Sequence, residues 1–212
     1  MLVLEQAGLV YLANPKTATQ SMRAMLAPFA QATPLATAGK HINAQTYARN
    51  WADRLARDLG RSLETVAVMR DPLEHLGSWF RYRQRDALRG HENSTHGLSF
   101  AAFVEARLSE DPPPFARIGR QDRFLGFLDG GPPVTHVFDY AARDQMIGFF
   151  SARLGAPLTL PHRNASPKGD PALLALPADL LARLHRAHAT EFALYEQVKA
   201  KTVLHTPAQS KT

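Results

Sequence analysis

Leu9-Val10-Tyr11-Leu12-Ala13-Asn14-Pro15-Lys16-Thr17-Ala18-Thr19-Gln20-Ser21 is the stretch on which the reading of this chain turns. The apolar run from Leu9 to Ala13 stops at Asn14-Pro15, as a buried parallel strand does when it reaches a loop. From Ser21 to Phe29, Met22, Met25, Leu26 and Phe29 recur at helical spacing, and Pro28 and Pro34 mark the helix's end. A turn between such a strand and helix aims backbone N–H groups and the positive helix end at an anion. Lys16 adds a full charge there, and Thr19 and Ser21 add hydroxyl donors. The same residues also fit an ordinary helix start with a surface lysine, and the motif alone leaves both readings open.

The pattern repeats outward from this point. Asn43 is placed to cap a second helix reaching Leu59, with Tyr47, Trp51 and Leu55 on one face and Gly60 at its end. Leu63 to Met69 reads as a second core strand, and Pro72 opens a helix expected to run to Leu88. His91 to Gly97 reads as a mobile loop, Ser99 as the cap of a short helix carrying Phe100, Phe103 and Val104, and Asp111 to Phe115 as a rigid connector. Val134 to Phe138 reads as a third strand after the turn Gly130-Gly131-Pro132-Pro133. A helix with Met146, Ile147, Phe150 and Leu154 follows, closed by Gly155. One last amphipathic helix is expected from Ala178 to Lys201, before a polar tail over 206–212. Leu2 to Ala13 is read as strand, since it has no basic leader and is too short to span a bilayer. These elements predict a single α/β domain over 1–205: a P-loop-like three-layer fold with a central, mainly parallel sheet covered by helices and ligands at the carboxyl ends of its strands.

Composition narrows the function classes. The chain has 212 residues, 45% apolar and 21% charged, which is the profile of an ordinary globular domain. No cysteine occurs, which excludes disulfides, thiolate metal sites and a cysteine nucleophile, and agrees with a cytoplasmic, reducing location. The formal charge of +6 and a pI of about 9.9 favour anionic ligands, whether nucleic acid, polysaccharide or nucleotide phosphate.

Arg70-Asp71-Pro72 ends the second strand, and Ser78 follows on the next helix. An arginine in that place can grip a phosphate bidentately, and Ser78 can donate from the same side; the alternative is an ion pair between Arg70 and a surface carboxylate. Together, in this order and context, the Asn14–Ser21 and Arg70–Ser78 motifs resemble the 5′- and 3′-phosphate motifs of the sulfotransferases that use 3′-phosphoadenosine 5′-phosphosulfate (PAPS), the bacterial and carbohydrate-type members above all. Arg120-Gln121-Asp122-Arg123-Phe124-Leu125, Val137-Phe138-Asp139-Tyr140, Leu160-Pro161-His162-Arg163-Asn164-Ala165-Ser166 and Glu191-Phe192-Ala193-Leu194-Tyr195 are similar to further family segments, so the resemblance covers nearly the whole chain.

The resemblance implies that Lys16, Thr17, Ala18, Thr19, Gln20 and Ser21 cradle the 5′-phosphate, with Lys16 also touching the transferring sulfuryl oxygens. Arg70 and Ser78 hold the 3′-phosphate. The chain departs from the family at Gln20, where a small residue is common, and at His75, where arginine is frequent.

Sulfuryl transfer is an in-line displacement that depends on positioning and charge stabilisation, and no metal is expected. An acceptor hydroxyl must lose a proton. His41, in Lys40-His41-Ile42-Asn43-Ala44, is the first choice of base, because a neutral histidine suits that task near pH 7 and the segment is similar to one in bacterial relatives. A histidine that merely packs beside the second helix is the alternative. Glu74 and His75 are weaker candidates, expected on the helix surface.

His91 and His96 lack a third metal ligand and read as solvated. Arg81, Arg83, Arg85 and Arg89 form either a solvated basic face or a patch for an anionic acceptor, and Trp79, Phe80 and Tyr82 read as core or cleft wall. Rival readings are a P-loop kinase, weakened by the missing Walker pattern and left with Asp71 as its magnesium candidate, and a non-catalytic nucleic-acid binder, for which no recognition motif is present. The acceptor, a carbohydrate among the options, and the oligomeric state are left open by the sequence.

Overall fold

A computed structural model describes residues 1–31, 41–128, 133–161, 174–201 and 203–205, the side chains of 203 and 204 excepted. Strands β1 (Leu2–Leu4), β2 (Leu9–Tyr11), β3 (Glu64–Met69), β4 (His136–Asp139) and β5 (Val203–His205) lie side by side in chain order. β2 pairs parallel with β3, in register Tyr11 to Val66, and β3 pairs parallel with β4, in register Met69 to Asp139. β1 and β5 are antiparallel to their neighbours. The sheet is therefore mixed, and the expectation of a mainly parallel sheet holds only for its centre.

The stretch Leu2 to Ala13, read as strand with its core part at Leu9 to Ala13, is a hairpin of β1 and β2. Ala7 N–H donates to Leu4 O and Gly8 N–H to Glu5 O, closing a turn whose Gly8 sits at φ 67°. A side chain at that φ would be strained, so Gly8 is what lets the chain reverse.

Side chains alternate across the sheet with the period of two that a strand imposes. Val10, Leu12, Ala67, Met69 and Val137 face a core completed by Ile42, Tyr47 and Leu55 from one side. Leu9, Tyr11, Val66, Val68 and Phe138 face the opposite core with Met22, Met25, Leu26, Met146 and Phe150. Helix α1 (Thr19–Leu26) and helix α7 (Arg143–Leu154) cover this second face. Helices α2 (Ala44–Tyr47) and α3 (Asp53–Leu59), continuous through a wider turn at Ala48–Ala52, cover the first face with α9 (Ala189–Lys201). Asn43 caps α2 through Thr46 N–H at 2.7 Å and Gly60 ends α3 in the left-handed region, as expected. A third apolar cluster joins α4 (Pro72–Arg83), α5 (Phe100–Arg107) and α8 (Ala178–Ala187) through Leu76, Phe80, Phe103 and Leu184.

Three further expectations change. Helix α4 stops at Arg83 rather than Leu88, and buried Thr95 is bonded to its end: Thr95 Oγ1 donates to Phe80 O, which Gln84 N–H also reaches, and Thr95 N–H donates to Arg83 O. That contact also pins the loop over 91–97. The expected single helix over 178–201 breaks at His188, whose side chain turns inward to Glu191. A short helix α6 (Gln121–Phe124), not foreseen, precedes β4. The turn residues Gly130, Gly131 and Pro132 and the tail 206–212 lie outside the described residues. Among the described residues no helix is long and apolar enough to cross a membrane.

Candidate functional site

The carboxyl ends of β2, β3 and β4 bring together the turns that start α1, α4 and α7. At the first of these, Lys16 and Ala18 both have left-handed backbone, at φ 65° and 55°. Each non-glycine residue held there costs about 1–2 kcal/mol. Left-handed residues in a strand-to-helix turn are a backbone feature that anion-binding nests share. Ala18 is also the N-cap of α1, and it offers no side-chain hydrogen bond to the first turn. Thr17 is buried and braces the turn from inside, Oγ1 donating to Asn14 O at 2.8 Å. Thr19 and Ser21 are buried on the first turn of α1, whereas Gln20 is exposed. Lys16 Nζ lies 4.3 Å from the Tyr82 ring centre and 5.7 Å from that of Trp79, so α4 supplies the wall on which the lysine rests.

At the end of β3 the arrangement differs. Asp71 caps α4, its Oδ1 accepting Glu74 N–H at 2.9 Å, and Pro72 occupies the first turn. The carboxylate on which a magnesium-dependent kinase would rest thus has a structural task. Arg70 Nε donates to Glu74 Oε2 at 3.2 Å and its guanidinium lies 4.6 Å from the Tyr140 ring centre. Glu74 is 61% exposed, so the pair is worth about 0–1 kcal/mol and yields readily to a stronger anion. Ser78 lies two turns into α4, buried on the helix that Arg70 precedes.

His75 is not on the helix surface: it is 3% exposed, and its Nε2 lies 3.2 Å from Pro15 O, in the cradle turn. A carbonyl only accepts, so Nε2 carries the proton. Burial pulls the imidazole down to about 4, against the pull of Glu191 and the Pro15 carbonyl and helped by Arg70 and Lys16 nearby. The ring therefore sits neutral between the two cationic motifs. It is poorly suited to be a base, and it anchors one motif to the other.

Beneath both motifs lies a buried amide that sequence reasoning placed only by family likeness. Gln121, 1% exposed at the start of α6, accepts from Asn14 Nδ2 at 3.1 Å and from Arg70 N–H at 3.0 Å, and donates through Nε2 to Arg70 O at 2.8 Å. Its carboxamide pairs with Arg70 as a neighbouring strand would. Asn14 Nδ2 also donates to Val68 O, stitching β2 to β3. Gln121 N–H in turn donates to Glu191 Oε1 at 2.9 Å, and His188 Nδ1 meets Glu191 Oε2 at 3.0 Å. Burial opposes the charge on Glu191, but these hydrogen bonds prevail and hold its carboxyl below the usual glutamate range.

His41 stands at the mouth of the cradle, exposed, with Nδ1 2.7 Å from Ala13 O. The carbonyl fixes Nδ1 as the donor, which leaves the basic lone pair of the neutral ring on Nε2. Lys40 beside it lies outside the described residues, as do residues 162–166 of the Leu160–Ser166 segment.

The basic run that begins on α4 and continues past its end divides by direction. Arg83 is buried and donates to the carbonyls of Pro114, Phe115 and Arg117. Arg89 pairs with Asp86, and Arg85 stacks on Tyr82 at 4.7 Å. Among the described residues no three His, Cys, Asp or Glu side chains gather where a metal ion could be held. Comparison with protein-family models, with curated proteins and with solved structures finds no match for the chain.

Proposed function

We propose that this chain is a nucleotide-dependent group transferase whose site lies at the carboxyl ends of its parallel strands. Within that class, the reading we favour is a PAPS-dependent sulfotransferase on a P-loop-like scaffold, working in the cytoplasm on an acceptor hydroxyl such as that of a carbohydrate. The observation that carries the reading is the strained, side-chain-uncapped turn at Lys16 and Ala18, set beside Arg70 and Ser78 on the adjoining strand and helix.

The residues present fit a doubly phosphorylated nucleotide. The α1 turn with Lys16 suits the 5′-phosphate, and the guanidinium of Arg70, with a weak carboxylate partner, suits the 3′-phosphate. PAPS supplies the sulfuryl group and a phosphate oxygen as leaving group. His41 Nε2 takes the proton of the acceptor hydroxyl as its oxygen forms the new S–O bond and the bond from sulfur to the leaving phosphate oxygen breaks. Lys16 and the N–H groups of the α1 turn stabilise the charge that collects on that oxygen.

Thermal unfolding in the presence of PAP, the product nucleotide, tests the assignment. A ligand at about 100 times its dissociation constant stabilises by about 2.7 kcal/mol, which raises Tm by about 5–10 °C in a chain of this size. That rise is expected without added metal. Stabilisation by ATP that requires magnesium, with no response to PAP, overturns the reading.

A further inference from the structure

We propose that Arg81 is a second arginine of the 3′-phosphate site, closing on the phosphate with Arg70 over the notch left by Gly77. The inference rests on the sulfotransferase reading and adds a specificity residue to it. Arg81 lies three positions beyond Ser78 on α4, on the same side of the helix. Its guanidinium folds back along the helix: a Cβ at Gly77 would stand 3.4 Å from Arg81 Nη1 and 2.6 Å from Leu174 Cδ1. Gly77 is thus the floor against which Arg81 and Leu174 both rest.

The Arg81 Nε is enclosed and has no hydrogen-bond partner among the described residues. An enclosed, unpaired donor of a charged group is costly, and it marks a place that an anion or water fills. Burial and the nearby Arg70 charge both weigh against the Arg81 cation, and Glu74 only partly offsets them. Arg143 adds a third guanidinium, 4.8 Å from the ring centre of the same Tyr140 on which Arg70 lies. Against these stand Glu74, already paired with Arg70, and Asp71, committed to capping α4. A phosphate dianion balances this excess and offers several acceptors to two planar forks.

Calorimetric titration of Arg81→Gln with PAP and with adenosine 5′-phosphosulfate, which lacks the 3′-phosphate, tests this role. Arg81 is partly exposed, so the variant folds. PAP affinity should fall about 10- to 100-fold, as expected for loss of a charged hydrogen bond, while adenosine 5′-phosphosulfate changes little. Arg81→Lys should recover part of the loss. Unchanged PAP affinity, or equal losses for both nucleotides, overturns the proposal. Wild-type protein that ignores PAP sinks the sulfotransferase reading alone, and inorganic phosphate then decides the site. Stabilisation by phosphate over chloride at equal ionic strength, present in the wild type and absent from Arg81→Gln, upholds the anion site, and equal stabilisation of both rejects it.

Discussion

The steps from β2 into α1 and from β3 into α4 are both strand, turn and helix, yet they close in opposite ways. α4 satisfies its own start, with Asp71 accepting a first-turn N–H and Pro72 needing no partner. α1 starts from a left-handed alanine that caps nothing. If the sulfotransferase reading holds, this contrast lets two anion sites share one sheet without competing. On the proposed reading the first is made of backbone and one lysine, where charge develops during transfer. The second is made of arginine and serine side chains, which recognise a phosphate that takes no part in the reaction.

The largest test of that division is His41→Ala. His41 hangs from Ala13 O, at the mouth of the first site and at the end of β2 rather than of β3. Turnover should fall about 10²–10⁴-fold, the usual contribution of a general base, while PAP affinity stays near that of the wild type. PAPS hydrolysis by water can serve as the assay before the acceptor is known. Loss of PAP affinity would place His41 in the nucleotide pocket, and unchanged turnover would remove it from the mechanism.

A smaller effect tests the link between the two regions. His75 belongs to α4 but holds the cradle turn at Pro15, and it does so uncharged. Its unfolded value is 6.5 and its folded value about 4, so below pH 6.5 the unfolded chain binds the proton more readily. Stability contributed by neutral His75 is therefore complete above pH 6.5 and is lost as pH falls toward 4. At 1.36 kcal/mol per unit, about 2 kcal/mol is gone by pH 5. Urea unfolding of the wild type and His75→Gln at pH 7 and 5 should show the variant with the shallower loss. Parallel losses would mean that His75 binds its proton as readily in the fold as in the unfolded chain.

The residues that were legible in the sequence are those whose signal is local. Asn43 and Gly60 bound their helix as expected, since a cap depends on a few neighbouring residues. The cradle's place between strand and helix was also readable, but its strain was not: nothing in Lys16-Thr17-Ala18 announces left-handed backbone, and a glycine would have. Gln121, His75 and Arg83 were missed or misplaced because their partners lie far along the chain. Gln121 meets Asn14, Arg70 and Glu191; His75 meets Pro15; Arg83 meets three carbonyls around Pro114. Periodicity marks a helix face as polar without saying whether that face meets water or a buried carbonyl. The edge strands were hidden for a related reason: each is three residues long, and β5 pairs antiparallel with β4 from the far side of α7, α8 and α9.

The finest test exchanges one residue at each helix start. Asp71→Ala removes a cap and should lower stability by about 1 kcal/mol, as such losses do elsewhere. Ala18→Gly should act in the opposite direction. Ala18 holds φ 55° and ψ 34°, where its Cβ crowds the following carbonyl, and glycine abolishes that conflict at once. Glycine also widens the unfolded ensemble, which takes back about 0.4–1 kcal/mol, so the net gain should lie in the range of about 0–1.6 kcal/mol. If the turn's shape serves an anion, Ala18→Gly keeps that shape and PAP binding with it, because the N–H groups that would hold the phosphate are unchanged. Urea midpoints for the two variants thus move apart from the wild type in opposite senses. A destabilised Ala18→Gly would show that the alanine methyl, half-buried against the turn, matters more than the strain it endures, and the contrast between the two helix starts would then rest on packing rather than on backbone.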